Sequence, residues 1–280
     1  MPQRASNWRW LLWAVLIAVA IGALVFVLWQ PQVMQQLAPA QTPPQAPVAA
    51  APIVQAPLDV PKYPIDPVAA ALPPLDASDE SLLKAMEMLW LDGGGITSYL
   101  TPTNLVRNFV ATIDNIPRQT WAAQRLPVKP PVGAFGTTQA DADLVGNPAN
   151  AMRYAPYVRL LESVDNTKLV ALYVRNYPLF QEAYRELGYP RGNFNDRLVD
   201  ALDTMIAAPE ITGPIALTQP KVLYQFADSE LEQLPAGQKL MLRMGAEHAK
   251  SVKQKLRELR RMLTAKGPGG APAMPAAAKR

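Results

Sequence analysis

The sequence contains no cysteine and a single histidine, His248. Without cysteine, the chain has no disulfide, no thiolate metal site, no cysteine nucleophile and no lipidated N-terminal cysteine. A single histidine also excludes a histidine-rich metal site and a relay of several histidines. We expect His248 on a helix surface, and we predict neither a metal site nor a cofactor.

Motifs for phosphate binding and for acyl transfer are also missing. The glycines at 93–95 are not followed by Gly-Lys-Ser or Gly-Lys-Thr, so the chain has no phosphate loop. Ser81 and Lys84 have S-x-x-K spacing, but the K-T-G and S-D-N strings that complete such a site do not occur. The sequence therefore predicts no catalytic residue. Because the net charge of +4 is modest and basic residues are spread along most of the chain, we predict no nucleic-acid partner.

One long run near the N-terminus, Leu11–Trp29, has no charged or strongly polar side chain. About 20 such residues in a helix cross a hydrocarbon core of roughly 30 Å. Trp8, Trp10 and Trp13 stand at one end of the run and Trp29 at the other, where indole rings favour the headgroup level. We predict a single transmembrane helix at 11–29 that contacts the lipid bilayer.

The distribution of basic residues predicts the orientation of this helix. Arg4 and Arg9 precede it, and the first basic residue after it is Lys62. The positive-inside rule then places residues 1–10 in the cytoplasm and the rest of the chain across the membrane. A cleaved signal peptide is the alternative, with Ala38-Pro39-Ala40 as an A-x-A site. Its apolar region is usually only about 7–15 residues long, which favours the uncleaved anchor.

Proline is concentrated between Pro31 and Pro74, where charge is scarce. Proline fixes φ and removes a backbone donor, so we predict an extended Pro/Ala-rich linker at 30–75. Gly, Pro and Ala also dominate 265–280, which we predict to be a disordered tail. The remaining residues, 76–264, are numerous enough to bury a core, and we predict one globular domain there.

Apolar residues recur at helical spacing through most of 76–264, which predicts a mainly α domain behind the transmembrane helix and the proline-rich linker. Ser78, Thr101 and Asp165 are predicted N-caps, the second with proline at the first helical position. Gly188 is a predicted C′ glycine. Pro178 is predicted to kink or restart the helix that follows Asp165.

Two stretches depart from this spacing. Residues 118–147 lack helical periodicity, so we predict short strands or a functional loop there. Val222–Phe226 is the most strand-like short run. A last amphipathic helix follows, with Val252, Leu256, Leu259 and Leu263 on its apolar stripe. Its opposite side carries Lys250, Lys253, Arg257, Arg260 and Arg261, predicted to be a solvated face or a contact for anionic lipid or an acidic partner.

Tyrosine and arginine are unusually dense between 153 and 189. These residue types are favoured at binding hot spots, but a tyrosine also serves at the edge of a core where its hydroxyl finds a partner. The predicted binding residues are Arg153, Tyr154, Tyr157, Tyr177, Tyr184 and Tyr189, accompanied by Tyr173, Arg159, Arg175 and Arg185.

A second candidate surface is acidic. Asp196, Asp200 and Asp203 have i, i+4, i+7 spacing and share one face of a predicted helix. That face is opposite Leu198 and Leu202. The spacing allows two interpretations. These residues form either a solvated face or an acidic stripe for docking or for cation binding.

Several runs resemble a known family: RYAPYVRLLESV (153–164), YPLFQEAYRELGYP (177–190), FNDRLVDALD (194–203), QPKVLYQFAD (219–228) and GQKLMLRMG (237–245). They are similar to the bacterial family called domain of unknown function 3014, over roughly 72–263. The layout of anchor, proline-rich spacer and domain is similar too. The resemblance implies a Gram-negative origin and an inner-membrane location, and it implies no activity and no catalytic residue.

Two hypotheses of function follow. The first is a membrane-tethered periplasmic module without catalytic activity that binds an envelope protein or peptidoglycan. It is based on the tether, the spacer, the Tyr/Arg-rich segment and the missing nucleophile and metal set. The alternative is a cell-envelope hydrolase or transferase, because paired carboxylates support glycoside chemistry. Its candidate carboxylates are Glu162, Glu182, Glu186 and Asp196.

Overall fold

The computed structural model describes residues 59–66, 68, 70–90, 95–119 and 126–265. The predicted transmembrane helix at 11–29, residues 1–10, the tail from 266 onward and most of the linker lie outside these residues. Among the helices that are described, none is both long and apolar enough to cross a membrane. Residues 56–280 separate from the rest of the chain as one compact unit. Its described part has its own hydrophobic core, which is what an independently folding domain requires.

Helices make up most of the described chain, which confirms the prediction of a mainly α domain. They are α1 (Asp79–Leu89), α2 (Ile96–Tyr99), α3 (Leu105–Asn115), α4 (Ala155–Ser163), α5 (Asn166–Glu186), α6 (Phe194–Ile206), α7 (Ser229–Gln233), α8 (Ala236–Arg243) and α9 (Ala246–Thr264). Short 3₁₀ turns at Leu75–Ala77 and Pro148–Arg153 precede α1 and α4.

Two small antiparallel hairpins complete the described fold. The first pairs β1 (Thr137–Ala140) with β2 (Asp143–Gly146), and the second pairs β3 (Leu217–Thr218) with β4 (Gln225–Phe226). A bridge between Val145 and Ala216 joins them. The first hairpin confirms the prediction of short strands within 118–147.

The strand predicted at Val222–Phe226 is wrong for its first half. Only Gln225 and Phe226 pair, whereas Val222 is 85% exposed and Leu223 is 76% exposed. Apolar composition suggested a strand, but these two side chains lie largely exposed in the loop between β3 and β4. A run of apolar residues without a neighbouring strand buries nothing, so its composition does not decide its conformation.

The core lies where α3, α5, α6 and α9 meet. α9 packs against α4, α5 and α6, while α3 packs against α5 and α6. Phe194 at the start of α6 is fully buried, and Val106 and Val110 of α3 are each 1% exposed. The buried apolar residues of α3, α6 and α9 therefore belong to one core, as amphipathic helices require.

Two predicted helix starts differ from the structure. Ser78 directly precedes α1, but its hydroxyl donates to the Leu75 carbonyl (2.7 Å) and does not cap α1. α3 begins at Leu105, so Thr101 is not its N-cap. The carboxylate of Asp79 instead accepts hydrogen bonds from the N–H groups of Asn104 (2.6 Å) and Leu105 (2.8 Å). A neighbouring helix thus supplies the acceptor that the free N–H groups of α3 need.

Three other predictions concern α5, two of them its ends. Asp165 caps this helix, and its carboxylate accepts a hydrogen bond from the N–H of Lys168 (2.8 Å). At the other end Gly188 has a φ of 116°, which is the left-handed conformation expected of a C′ glycine. Both predictions are confirmed. α5 continues through Pro178 as one helix, so it does not restart there.

The C-terminal part of the predicted linker belongs to the folded unit. Ile65 and Leu75 are buried in the core. The carboxylate of Asp196 on α6 accepts hydrogen bonds from the N–H groups of Lys62 (3.0 Å) and Tyr63 (2.9 Å). The Asn195 amide donates to the Tyr63 carbonyl (2.8 Å). The described domain therefore extends to residue 59, well before residue 76, where the sequence had placed its start.

α8 approaches the end of α3 very closely at Gly237. The Gly237 N–H donates to the Ile116 carbonyl (3.0 Å). A methyl group on Gly237 would lie 2.6 Å from Cγ2 of Ile116. Glycine at this position therefore lets α8 pack against the core while its far end reaches the β-hairpins.

Candidate binding cavities

A cavity of about 510 Å³ lies between the two β-hairpins and the C-terminal end of α8. We call it the hairpin cavity. Its apolar walls include Phe135, Val145, Ile215, Leu217, Phe226 and Leu242. Arg243, in the last turn of α8, is the one charged residue among the described residues that line it. The cavity therefore combines an apolar interior with a single cation.

The guanidinium of Arg243 lies over the ring of Phe226, 5.6 Å from its centroid. This cation–π contact holds the side chain against the cavity wall. Within the described part of the chain, no carboxylate is within ion-pair distance of Arg243. Glu232 is the acidic neighbour. Burial raises the pKa of its carboxyl, but hydrogen bonds from the Phe226 N–H and from Lys239 lower that pKa below its usual value.

The opposite wall of the hairpin cavity is held by Asn150. Its side-chain oxygen accepts a hydrogen bond from the N–H of Gly136 (2.9 Å), and its amide donates to the carbonyl of Gly136 (2.7 Å). Asn147 caps the 3₁₀ turn that carries Asn150, with its side chain accepting from the Ala149 N–H (2.8 Å). These hydrogen bonds within the protein therefore fix this wall without the help of a ligand.

A second cavity, of about 260 Å³, lies among α1, α2, α3, α4 and α5. We call it the helix cavity. The described residues that line it are apolar or tyrosine: Leu82, Met86, Ile96, Tyr99, Leu100, Leu105, Phe109, Pro127, Val128, Tyr157, Leu160, Leu169, Leu172, Tyr173 and Phe180. None of these described lining residues is charged, whereas Arg243 lines the hairpin cavity.

The structure does not gather the predicted tyrosines into one binding surface. Tyr177 and Tyr184 are buried in the core, and Tyr173 and Tyr154 pack against it. The Tyr189 ring stacks on that of Tyr184 at 4.5 Å between centroids. Burial raises the pKa of Tyr184 to about 12. These four tyrosines and Tyr189 therefore belong to the core and its edge, which is the second of the two roles considered for them in the sequence.

Arg153 and Tyr157 lie elsewhere and hold an irregular segment. The Arg153 guanidinium donates to the carbonyls of Val132 (3.3 Å) and Gly133 (2.8 Å). The Tyr157 hydroxyl donates to the carbonyl of Lys129 (3.0 Å). Together they fix residues 129–133 against the helices.

The predicted acidic stripe is divided among separate contacts. Asp196 accepts the two backbone N–H groups of residues 62 and 63, as described above. Asp203 forms a two-point ion pair with Arg260 of α9, in which Nη2 and Oδ2 are 3.0 Å apart. Asp200 is exposed. Asp196 and Asp203 thus join α6 to the rest of the domain, and Asp200 is exposed.

The basic residues predicted to share one solvated face of α9 do not do so. Lys253 is 3% exposed, and its amine donates to the carbonyl of Ala208 (2.7 Å) and to the carboxylate of Glu210 (2.9 Å). The hydrogen bond from Lys253 lowers the pKa of Glu210. Arg260 pairs with Asp203. The prediction was wrong for Lys253 because the chain after α6 crosses that side of α9 and covers it.

The carboxylates considered for catalysis have separate partners. Glu162 accepts a hydrogen bond from the Ser251 hydroxyl, and Glu186 pairs with Arg107 at 2.7 Å. Asp196 accepts backbone N–H groups, and Glu182 is exposed. None of these contacts joins two of the four carboxylates. No cluster of acidic or histidine residues suited to a metal ion occurs within the described ranges.

Arg243 and the hairpin cavity were missed by sequence reasoning. Arg243 falls inside the run GQKLMLRMG, but a single arginine near a helix end is unremarkable by spacing alone. The one available signal was the irregular segment 118–147, whose second half supplies the first hairpin. Val145 of this hairpin pairs with Ala216, which is far away in the sequence. The periodicity of a single segment cannot predict such a contact.

Comparison with known proteins agrees with the resemblance seen in the sequence. The family model described as protein of unknown function (DUF3014) matches residues 105–260, which include α3 to α8, both hairpins and most of α9. No curated protein and no solved structure matches the chain. Since the match covers more than half of the 280 residues, the chain belongs to the family described as protein of unknown function (DUF3014).

Proposed function

We propose that this protein is a membrane-tethered periplasmic module without catalytic activity, which binds an envelope protein or a cell-wall component through the hairpin cavity. The observation that carries the proposal is the cavity itself. Its volume of about 510 Å³ is within the range of roughly 300–1,000 Å³ that is typical of ligand sites. Apolar walls and one oriented cation are also the usual composition of such sites.

The chemistry of the cavity narrows the class of ligand. Arg243 offers N–H donors suited to a carboxylate, and the surrounding side chains accept apolar groups. A peptide that ends in a carboxylate next to small apolar residues has both features. Such peptides occur in the cell wall as stem peptides and in envelope proteins as chain ends, which are the two partner classes proposed.

Arg243→Ala should weaken binding to this partner about tenfold or more, because a hydrogen bond to a charged group is worth about 1.5–3 kcal/mol. The measurement is co-sedimentation of residues 56–280 with purified sacculi, together with crosslinking in membranes for protein partners. Arg175→Ala is the matched control, because Arg175 is exposed on α5 away from the cavity. A wild-type domain that binds neither sacculi nor any envelope protein, or equal binding by the two variants, would refute the proposal.

The tether is supported by the sequence. The run at 11–29, its flanking tryptophans and the arginines at 4 and 9 favour a single crossing with the domain in the periplasm. We expect alkaline phosphatase fused after Arg280 to be active and a fluorescent protein at the same point to be dark. A fusion that lacks residues 1–55 should reverse both signals, which makes it the control. Fluorescence from the full-length fusion would contradict the proposed location.

A further inference from the structure

The helix cavity has properties that the proposed function does not use. Its volume is about 260 Å³, and residues of the five helices α1 to α5 contribute to its wall. Leu82, Ile96, Leu105 and Phe180 form a buried part of that wall, each less than 9% exposed. Val128 is 38% exposed and is the most accessible of the lining residues, so the cavity meets solvent beside it.

Two of the three tyrosine hydroxyls on the wall, those of Tyr157 and Tyr173, have partners outside the cavity. The Tyr157 hydroxyl donates to the Lys129 carbonyl, and the Tyr173 hydroxyl donates to Asn195 (3.2 Å). Burial raises the pKa of both tyrosines, so both hydroxyls stay neutral at physiological pH. A sugar or a peptide backbone in this cavity would leave most of its own polar groups without hydrogen-bond partners, which opposes its binding. The cavity therefore suits a ligand without polar groups along its length.

Backbone pairing fixes the chain beside the opening, and the cation Lys129 follows Val128 directly in the sequence. Val128 forms an antiparallel bridge with Leu100, and the Lys129 N–H donates to the Tyr99 carbonyl (2.8 Å). The exposed Lys129 amine donates to the carbonyl of Ser98 (2.8 Å). No carboxylate among the described residues is within ion-pair distance of it. An anionic group at the opening would therefore find a positive charge that no carboxylate of the described residues neutralises.

We propose that the helix cavity binds one aliphatic acyl chain, with the anionic head of that chain beside Lys129. The volume sets the length of chain that fits. An apolar cavity of about 150 Å³ holds benzene, so about 260 Å³ accommodates roughly ten carbon atoms. This inference depends neither on the hairpin cavity nor on the proposed location, and its tests use other residues.

A series of fatty acids from hexanoate to tetradecanoate tests the length limit by calorimetric titration of residues 56–280. Each added CH₂ group should tighten binding about fourfold up to decanoate, because burying a CH₂ group is worth about 0.8 kcal/mol. Longer chains should gain nothing further once the cavity is full. An affinity that continues to rise through tetradecanoate would indicate nonspecific apolar adsorption and would overturn the proposal, as would the absence of binding by decanoate.

Substitutions at the opening test the place of binding. Val128→Trp should block the opening and abolish decanoate binding, whereas Val132→Trp should leave it unchanged. Val132 is 90% exposed on the same segment and does not line the cavity, so it controls for the added indole ring. Both variants should retain the melting temperature of the wild type, which excludes unfolding as the cause. Equal decanoate affinities for the two variants would show that the chain binds elsewhere.

The head group provides a separate test. Lys129→Ala should weaken decanoate binding by up to about fivefold, since an exposed ion pair is worth at most about 1 kcal/mol. Binding of uncharged decanol should not change. Lys221→Ala, in the loop between β3 and β4, is the control. An equal effect of Lys129→Ala on decanol would remove the assigned role of the lysine.

A free fatty acid and one chain of a membrane lipid would present the same group to the cavity. Titration with a decanoyl lysophosphatidylglycerol separates these sources. Tighter binding of the lysolipid than of decanoate assigns the membrane lipid, and the reverse order assigns the free acid. Either result supports the proposal, and failure of both ligands to bind contradicts it.

Discussion

Phe194→Ala is expected to lower the free energy of unfolding of residues 56–280 by about 3–5 kcal/mol, the usual cost of truncating a buried phenylalanine. Phe194 is 0% exposed and opens α6. Its ring stacks on Phe180 at 5.8 Å between centroids and contacts Tyr184 at 5.6 Å. Each such aromatic pair contributes about 0.5–1.5 kcal/mol beyond the buried area. The alanine would leave a cavity bordered by α3, α5 and α6 that rigid helices do not close.

Urea unfolding followed by circular dichroism measures this effect. The m-value should stay constant, because the surface exposed on unfolding changes little. Phe194→Leu should cost less than Phe194→Ala, since it retains part of the volume. Val222→Ala is the control, because Val222 is 85% exposed and surface substitutions change stability by about 0.5 kcal/mol or less. A loss below about 1 kcal/mol for Phe194→Ala would contradict the packing described for α6.

Asp114→Ala is expected to destabilise the domain by about 3 kcal/mol, the lower end of the cost of breaking a buried ion pair. Asp114 is 5% exposed on α3. Its carboxylate accepts hydrogen bonds from Arg118 (2.8 Å), Arg197 (3.0 Å) and the Tyr189 hydroxyl (3.3 Å). Without the carboxylate, the Arg197 guanidinium would keep its hydrogen bond to the Asp114 carbonyl but would lose the negative charge that compensates its own. The Arg197 side chain is 21% exposed, so water can partly solvate its charge. The expected loss of stability is therefore at the lower end of the range for a buried ion pair.

Three comparisons isolate the charge. Asp114→Asn preserves the shape and should recover part of the loss, because an amide still accepts one hydrogen bond. Asp200→Ala removes an exposed aspartate of α6 and should change stability by about 0.5 kcal/mol or less. A double-mutant cycle with Arg197→Ala should give a coupling energy within the range of roughly 0.5–3 kcal/mol for contacting residues. Equal losses for Asp114→Ala and Asp200→Ala would show that the network contributes nothing.

The helix predictions that succeeded depend on interactions between residues that are close together in the sequence. α5 begins after Asp165 and ends at Glu186, shortly before Gly188, because capping and left-handed backbone depend on residues a few positions apart. Periodicity in α9 likewise placed Val252, Leu256 and Leu259 in the core. Such signals are complete within one or two turns, so the sequence alone contains them.

Two of the failed predictions, for Thr101 and Lys253, have a non-local cause. Thr101 has the composition of an N-cap, but Asp79 of α1 provides the acceptor for α3 and moves its start to Leu105. Lys253 has the spacing of a solvated residue, but the Ala208 carbonyl and Glu210 reach it from the segment after α6. In both cases the deciding partner is at least 25 residues away in the sequence.

The same distinction applies to the sites. The Tyr/Arg-rich segment was a natural candidate by composition, but the structure uses Tyr177 and Tyr184 in the core. The hairpin cavity depends on the approach of α8 to two hairpins far apart in the chain. Composition identifies residue types that are common in binding sites. A cavity forms only where elements distant in the sequence pack together and leave a space between them.

The absence of cysteine, the single histidine and the missing motifs excluded several chemistries from the sequence alone. Helical periodicity determined the class of the fold, and the predicted anchor at 11–29 stays a prediction. Only the tertiary structure decided that residues 59–75 belong to the domain, that Lys253 is buried and that two cavities exist. The physical reason is that hydrophobic spacing is a property of one element, whereas burial and ion pairing depend on which elements meet.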